Sequence, residues 1–124
     1  MRKAIIDKLK EISELKEVYQ PFLAPSGAAK PYASVKLTTT LNAVGNRAGW
    51  FQPVEVYIYN SRTSFITIDT LVSKVIEKLD GVALETGSGA KFTCELDGII
   101  SDADSDTQDA LFKIVTFNIP KYKP

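Results

Sequence analysis

Three aspartates at alternate positions, Asp102, Asp104 and Asp106, come nearest in this chain to a set of residues that could do chemistry. Carboxylates at positions one, three and five open a calcium-binding loop of the EF-hand type, where hard oxygen ligands surround a divalent ion. The match then stops. Thr107 stands where that loop needs a glycine for its sharp turn, and Lys113 where it needs a bidentate glutamate. No flanking helices are expected either. The stretch from Ser101 to Asp109 therefore reads as a solvated acidic loop, with a charged patch for a partner or weak cation binding as its alternatives. No metal site is expected.

The other reactive residue types give less. There is no histidine, so the usual proton shuttle near neutral pH and the commonest metal ligand are both missing. Cys94 is the single thiol, and it alternates with Phe92 and Leu96, as a packed and inert side chain would. A catalytic thiolate needs a base or positive surroundings to lower its pKa. Gly87-Ser88-Gly89-Ala90-Lys91 resembles a phosphate loop only in part, because a Walker loop has a longer glycine spacing and opens a helix. Here the lysine begins a strand, and the run is expected to be a hairpin turn. Neither catalysis nor a cofactor is expected.

The elements that must position these residues centre on Trp50 to Gly81. Val54, Val56 and Ile58 alternate with Glu55, Tyr57 and Tyr59, the period of a strand with two unlike faces. Asn60, Ser61, Thr63 and Ser64 supply turn and N-cap chemistry. Phe65, Ile68, Leu71, Val72, Val75, Ile76 and Leu79 then form one apolar helical stripe, with Gly81 placed to end it in a left-handed cap. The β-branched run from Phe65 to Thr70 also fits a strand, but the helical spacing continues in phase for three more turns.

Around this unit, Arg2 to Leu15 reads as an amphipathic helix with Ile5, Leu9 and Ile12 on one side. Its mixed charges favour contact with a sheet over a membrane surface. Val18 to Gln20, Tyr32 to Leu37, Val82 to Glu85, Lys91 to Leu96 and Phe112 to Ile119 read as strands, and Pro53 places the start of its strand at a sheet edge or bulge. The fold class is α+β: two helices packed on a mostly antiparallel mixed sheet, as one domain over residues 1–124. A formal net charge of zero argues against a chain devoted to neutralising phosphates or an acidic membrane. No secretory signal is visible, and a single cysteine leaves a reducing interior as the default setting.

The polar segment from Thr38 to Arg47 is long for a connection between two strands. Beside it, Trp50, Phe51, Tyr57 and Tyr59 cluster on or near one strand, and aromatics with polar tips are enriched where proteins meet. One alternative is that two of them only cover the second sheet face under a helix. Asn42, Arg47 and Trp50 are the expected protein-interface residues.

The order of these pieces is similar to a known family. An N-terminal helix leads to Val18-Tyr19, an Ala24-Pro25 loop, and Pro31-Tyr32 opening a strand. A long loop, an aromatic-rich strand, a helix ending Leu79-Asp80-Gly81, an acidic segment and a last strand follow. Over nearly its whole length the chain resembles the tail-completion proteins of long-tailed bacteriophages, also called tail terminators or head–tail joining proteins. The resemblance implies a subunit that assembles with copies of itself into a ring, commonly a hexamer; a free subunit that is monomeric in solution is a further expectation. Its implied neighbours are the tail tube protein on one side and the head connector or stopper protein on the other. DNA would be only a passenger in the channel, no membrane would be involved, and the location would be the virion, after the host cytoplasm. The competing expectations are a capsid-side connector or stopper, a small cation- or ligand-binding domain using Asp102 to Asp109, and a host-derived protein-interaction module.

Overall fold

The computed structural model describes residues 1–21, 23–25, 27–37, 41–42, 50–62, 65–105 and 110–121. Its elements in order are α1 (Arg2–Leu9), β1 (Val18–Tyr19), β2 (Tyr32–Leu37), β3 (Leu41–Asn42), β4 (Trp50–Asn60), α2 (Ile66–Leu79), β5 (Ala83–Glu85), β6 (Lys91–Thr93), β7 (Glu95–Ser105) and β8 (Ala110–Lys121). The main sheet runs β1-β2-β4-β8-β7, with β3 pairing β4 as a sixth strand, and β5-β6 is a separate hairpin. Among the described residues only β1 and β2 run parallel within the main sheet. Two helices on a mostly antiparallel mixed sheet is the α+β class that the alternations predict.

The register explains why one face closes. Val54 pairs with Phe117 and Val56 with Val115, while Val35 and Ala33 lie opposite Val56 and Ile58. All of these residues are fully buried or nearly so, and they meet Ile68, Leu71, Val75 and Leu79 of α2 and Ile5 and Leu9 of α1 in one core. The α2 stripe is buried as its spacing demands. Its β-branched first turn is helical because core burial outweighs a propensity difference of a few tenths of a kcal/mol. Thr70 Oγ1 and Ser73 Oγ also donate back to the carbonyls of Ile66 and Asp69 within the helix.

Several boundaries differ from the sequence expectation. The first helix ends at Leu9, and Ile12 and Leu15 reach the core from tight turns in which the amides of Ile12 and Leu15 donate to the carbonyls of Leu9 and Ile12. Glu11 and Glu14 clip those turns to Lys78 and Lys74 of α2, and the Lys78 hydrogen bond leads the causes that hold the Glu11 carboxyl below its ordinary range. Phe65 occupies the N-cap of α2 with no side-chain cap hydrogen bond, so the polar cap is not made there, while Asn60 is the last residue of β4 and Thr63 and Ser64 lie outside the described residues. Gly81 does follow α2 with φ +69°, yet its amide donates to the Cys94 carbonyl and ties the helix end to the sheet. Pro53 sits within a central strand: β4 passes from pairing β3 at Phe51 to pairing β2 at Val54, and the proline falls in the gap.

Core truncation separates the buried stripe from the exposed turn. Leu71→Ala is expected to cost about 2–5 kcal/mol in urea unfolding, whereas Ile66→Ala, at a site 77% exposed, is expected to stay within about 0.5 kcal/mol.

Candidate interaction surfaces

The sheet face turned away from the helices carries a row of aromatic rings. Tyr32 lies opposite Tyr59, and Tyr59 opposite Phe112, so three neighbouring strands each place one ring on this face. The Tyr32 and Tyr59 rings stack at 4.9 Å, Tyr59 meets Phe112 at 5.3 Å, and Tyr57 extends the row to Phe112 at 6.1 Å. Tyr19 meets Tyr32 edge-on at 5.4 Å. Tyr32 is buried, while Tyr57, Tyr59, Phe112 and Ile114 are half-buried. Among the described residues neither helix covers these rings, since α1 and α2 pack on the opposite face, so the helix-covered alternative does not hold for these tyrosines. Across the strand pair, Ile100 faces Ile114 and is 47% exposed, which continues the apolar surface to the sheet edge.

That edge is β7. It carries Glu95, Asp97, Asp102 and Asp104 without a single cation between Glu95 and Ser105. Leu96 and Ile99 pair with Phe117 and Val115, which puts them on the helix side of the sheet, yet they remain 39% and 48% exposed. Register shifts between Leu96 and Gly98 and between Ile100 and Ala103 mark two bulges, which bend the strand and break its outer ladder. Asp80 Oδ1 accepts the Leu96 amide at 2.9 Å, which further blunts the edge.

The opposite edge, at β1, has the other sign. A groove of about 650 Å³ runs between α1 and β1, where Arg2, Lys3 and Lys10 outnumber Asp7 and where Ile6 and the 63% exposed Leu23 supply apolar walls. Lys3 and Lys10 pair with Asp7 and Glu17. Arg2 Nε is buried, with no hydrogen-bond acceptor among the described residues.

The residues singled out from the sequence fall as follows. Asn42 pairs with Trp50 across the β3–β4 ladder, so two of the three expected interface residues share one register position. Their side chains, and Arg47 altogether, lie outside the described residues. The acidic segment is not the expected loop over its first half, because β7 runs through Asp102 and Asp104 to Ser105; Asp106 and Asp109 lie outside the described residues. Asp102 accepts Lys113 at 3.1 Å and Asp104 meets Arg62 at 2.5 Å. Lys113 is held protonated above its ordinary range by Asp69 first and Asp102 second. Among the described residues no group of acids, cysteine or histidine has the arrangement of a metal site. Cys94 is fully buried, and burial pushes its thiol up to about 12. The glycine run is the expected hairpin turn: the Thr86 amide donates to the Ala90 carbonyl at 2.8 Å, and Gly89 takes φ +90°. No helix among the described residues is long and apolar enough to cross a membrane.

Sequence reasoning missed the basic groove and the partners of the tyrosine row. Phe112 was assignable to that face only once β8 was registered against β4. The one signal for the exposed edge is Ile99-Ile100 set among acidic residues in a strand-like stretch.

No known family's sequence signature matches the chain, and no curated protein matches it in sequence. Its fold is that of solved structures. A chain of the virion of a native gene transfer agent particle is similar at a TM-score of 0.77 and 15% identity, over 99% of this chain and 95% of that one. A second solved chain, described by a serial designation alone, is similar at a TM-score of 0.64 and 11% identity, over 99% and 92%.

Alkaline titration reads the buried rings directly. Burial raises the Tyr32 phenol from 10.0 to about 12, and burial is also the leading cause that raises Tyr57 and Tyr59. The folded state thus keeps a proton that the unfolded chain releases near 10. Stability from Tyr32 is complete below pH 10 and is lost as pH climbs from 10 to 12. Absorbance at 295 nm should show late-titrating tyrosines, and Tyr32→Phe should remove the latest of them. In the same way, Cys94 should stay inert to a thiol reagent at pH 8 until the chain is unfolded.

Proposed function

We propose that this chain is a structural subunit of a phage-like virion that caps the head-proximal end of the tail tube as a ring, ends tube growth and joins the tail to the head connector. The observation that carries this reading is the likeness of almost the entire fold to a chain of a gene transfer agent virion. The order of elements, from Val18-Tyr19 through Leu79-Asp80-Gly81 to the last strand, supports the finer assignment to tail completion. The surfaces suit it too: an aromatic sheet face, an acidic edge and a basic groove present contact area for protein partners. In this reading the chain catalyses nothing and binds no cofactor, and DNA only passes through the channel. Its partners are copies of itself, the tube protein and the connector.

Electron microscopy of particles made without the chain tests the role. Overlong or unattached tails are expected; tails of normal length on full heads would reject it. Heads that fail to retain DNA beside tails of normal length would instead favour the capsid-side stopper.

The β3–β4 end of the sheet supplies a second check. Replacing Asn42, Arg47 and Trp50 together by alanine is expected to lower assembly or tail joining at least about ten-fold. The circular dichroism spectrum and melting of the subunit should be unaltered. Unchanged joining would remove these three residues from the interface.

A further inference from the structure

We infer that the two edges of the sheet make one head-to-tail contact between copies of this chain, with the acidic flank of β7 seated in the basic groove between α1 and β1 of the next copy. Three observations meet in it. First, the charges are complementary: the β7 flank holds four carboxylates and no cation, and the groove is lined by Arg2, Lys3 and Lys10 against one aspartate. Glu95 and Asp97 have no ion pair among the described residues, and of the groove's cations Lys3 and Lys10 are paired with Asp7 and Glu17 while Arg2 has no ion pair among the described residues.

Second, both surfaces carry exposed aliphatic side chains. Leu96 and Ile99 stand out from β7 on the helix side of the sheet, and the groove presents the exposed Leu23 beside the half-buried Ile6. Third, β1 and β7 are the terminal strands of the same sheet, so the two surfaces lie at opposite ends of one layer. Joining unlike faces leaves each new subunit with a free copy of both. Such a heterologous contact closes as a ring or continues as a filament, whereas a contact between like faces stops at a dimer. The bulges in β7 and the two-residue length of β1 prevent a long ladder across the junction, so side chains carry the contact. With a net charge of zero, no global repulsion opposes it. This contact deepens the ring reading and rests on it, since a ring of one chain requires unlike faces that meet.

Disulfide trapping tests the geometry. Leu23→Cys and Ile99→Cys are exposed sites, and Cys94 is buried. The chain carrying both substitutions, oxidised at high concentration, should run as a ladder of dimer, trimer and larger species under denaturing, non-reducing conditions. An equal mixture of the two single variants should give a mixed dimer and nothing larger. Glu95→Lys with Asp97→Lys in the Ile99→Cys chain should cut that mixed dimer about ten-fold, and Arg2→Glu with Lys3→Glu in the Leu23→Cys chain should restore it. No ladder, or an Ile99→Cys variant that dimerises with itself as readily, would overturn the contact. Aberrant tails in particles lacking the chain, together with no ladder, would keep the virion role and discard this junction. A ladder with normal tails would do the reverse.

Discussion

The whole structure depends on closing one face of one sheet. Val54, Val56 and Ile58 of β4 stand across from Phe117, Val115 and Lys113 of β8, and the apolar members sit under α2 with essentially no exposure. Burying five α2 side chains at roughly 1.5–3 kcal/mol each makes this contact a leading source of stability. It also dictates what is left over. Because strand side chains alternate, a register that sends the valines inward sends Tyr57 and Tyr59 outward. Both helices are used on the first face, so among the described residues neither helix covers the rings of the second.

The leftover surfaces include the two ends of the sheet. A sheet closed into a barrel has no ends, but this one is open and stops at β1 and β7. Bulges and the Asp80 side chain blunt β7 against indiscriminate strand pairing. Charge of opposite sign at the two ends is what the proposed head-to-tail contact draws on. Lys113 and Arg62 offset Asp102 and Asp104, so the acidic edge is tolerable in the single chain while Glu95 and Asp97 remain open to a cation from elsewhere.

Much of the fold was legible in the residues because periodicity reports burial. The alternation in β4 and β8, the stripe in α2, the buried Cys94 and the turn around Gly89 all follow from that rule. The errors share a physical cause. Ile12 and Leu15 keep helical spacing and are buried, but tight turns can present the same side chains as a helix. Asp102 and Asp104 have the polarity of a loop, yet an edge strand facing solvent tolerates acids because only one of its sides must pair. The interaction surfaces were harder to see. Arg2, Lys3, Tyr19 and Leu23 come together only because α1 lies beside β1 and the residues after it, a proximity that no local pattern reports.

Averaged cryo-electron microscopy of the neck of purified particles examines the central claim most directly. The account predicts a closed ring of this fold at the head-proximal end of the tube, with β7 of each subunit against α1 and β1 of its neighbour. Particles whose neck contains no density for the fold, and whose purified protein lacks the chain, would contradict it.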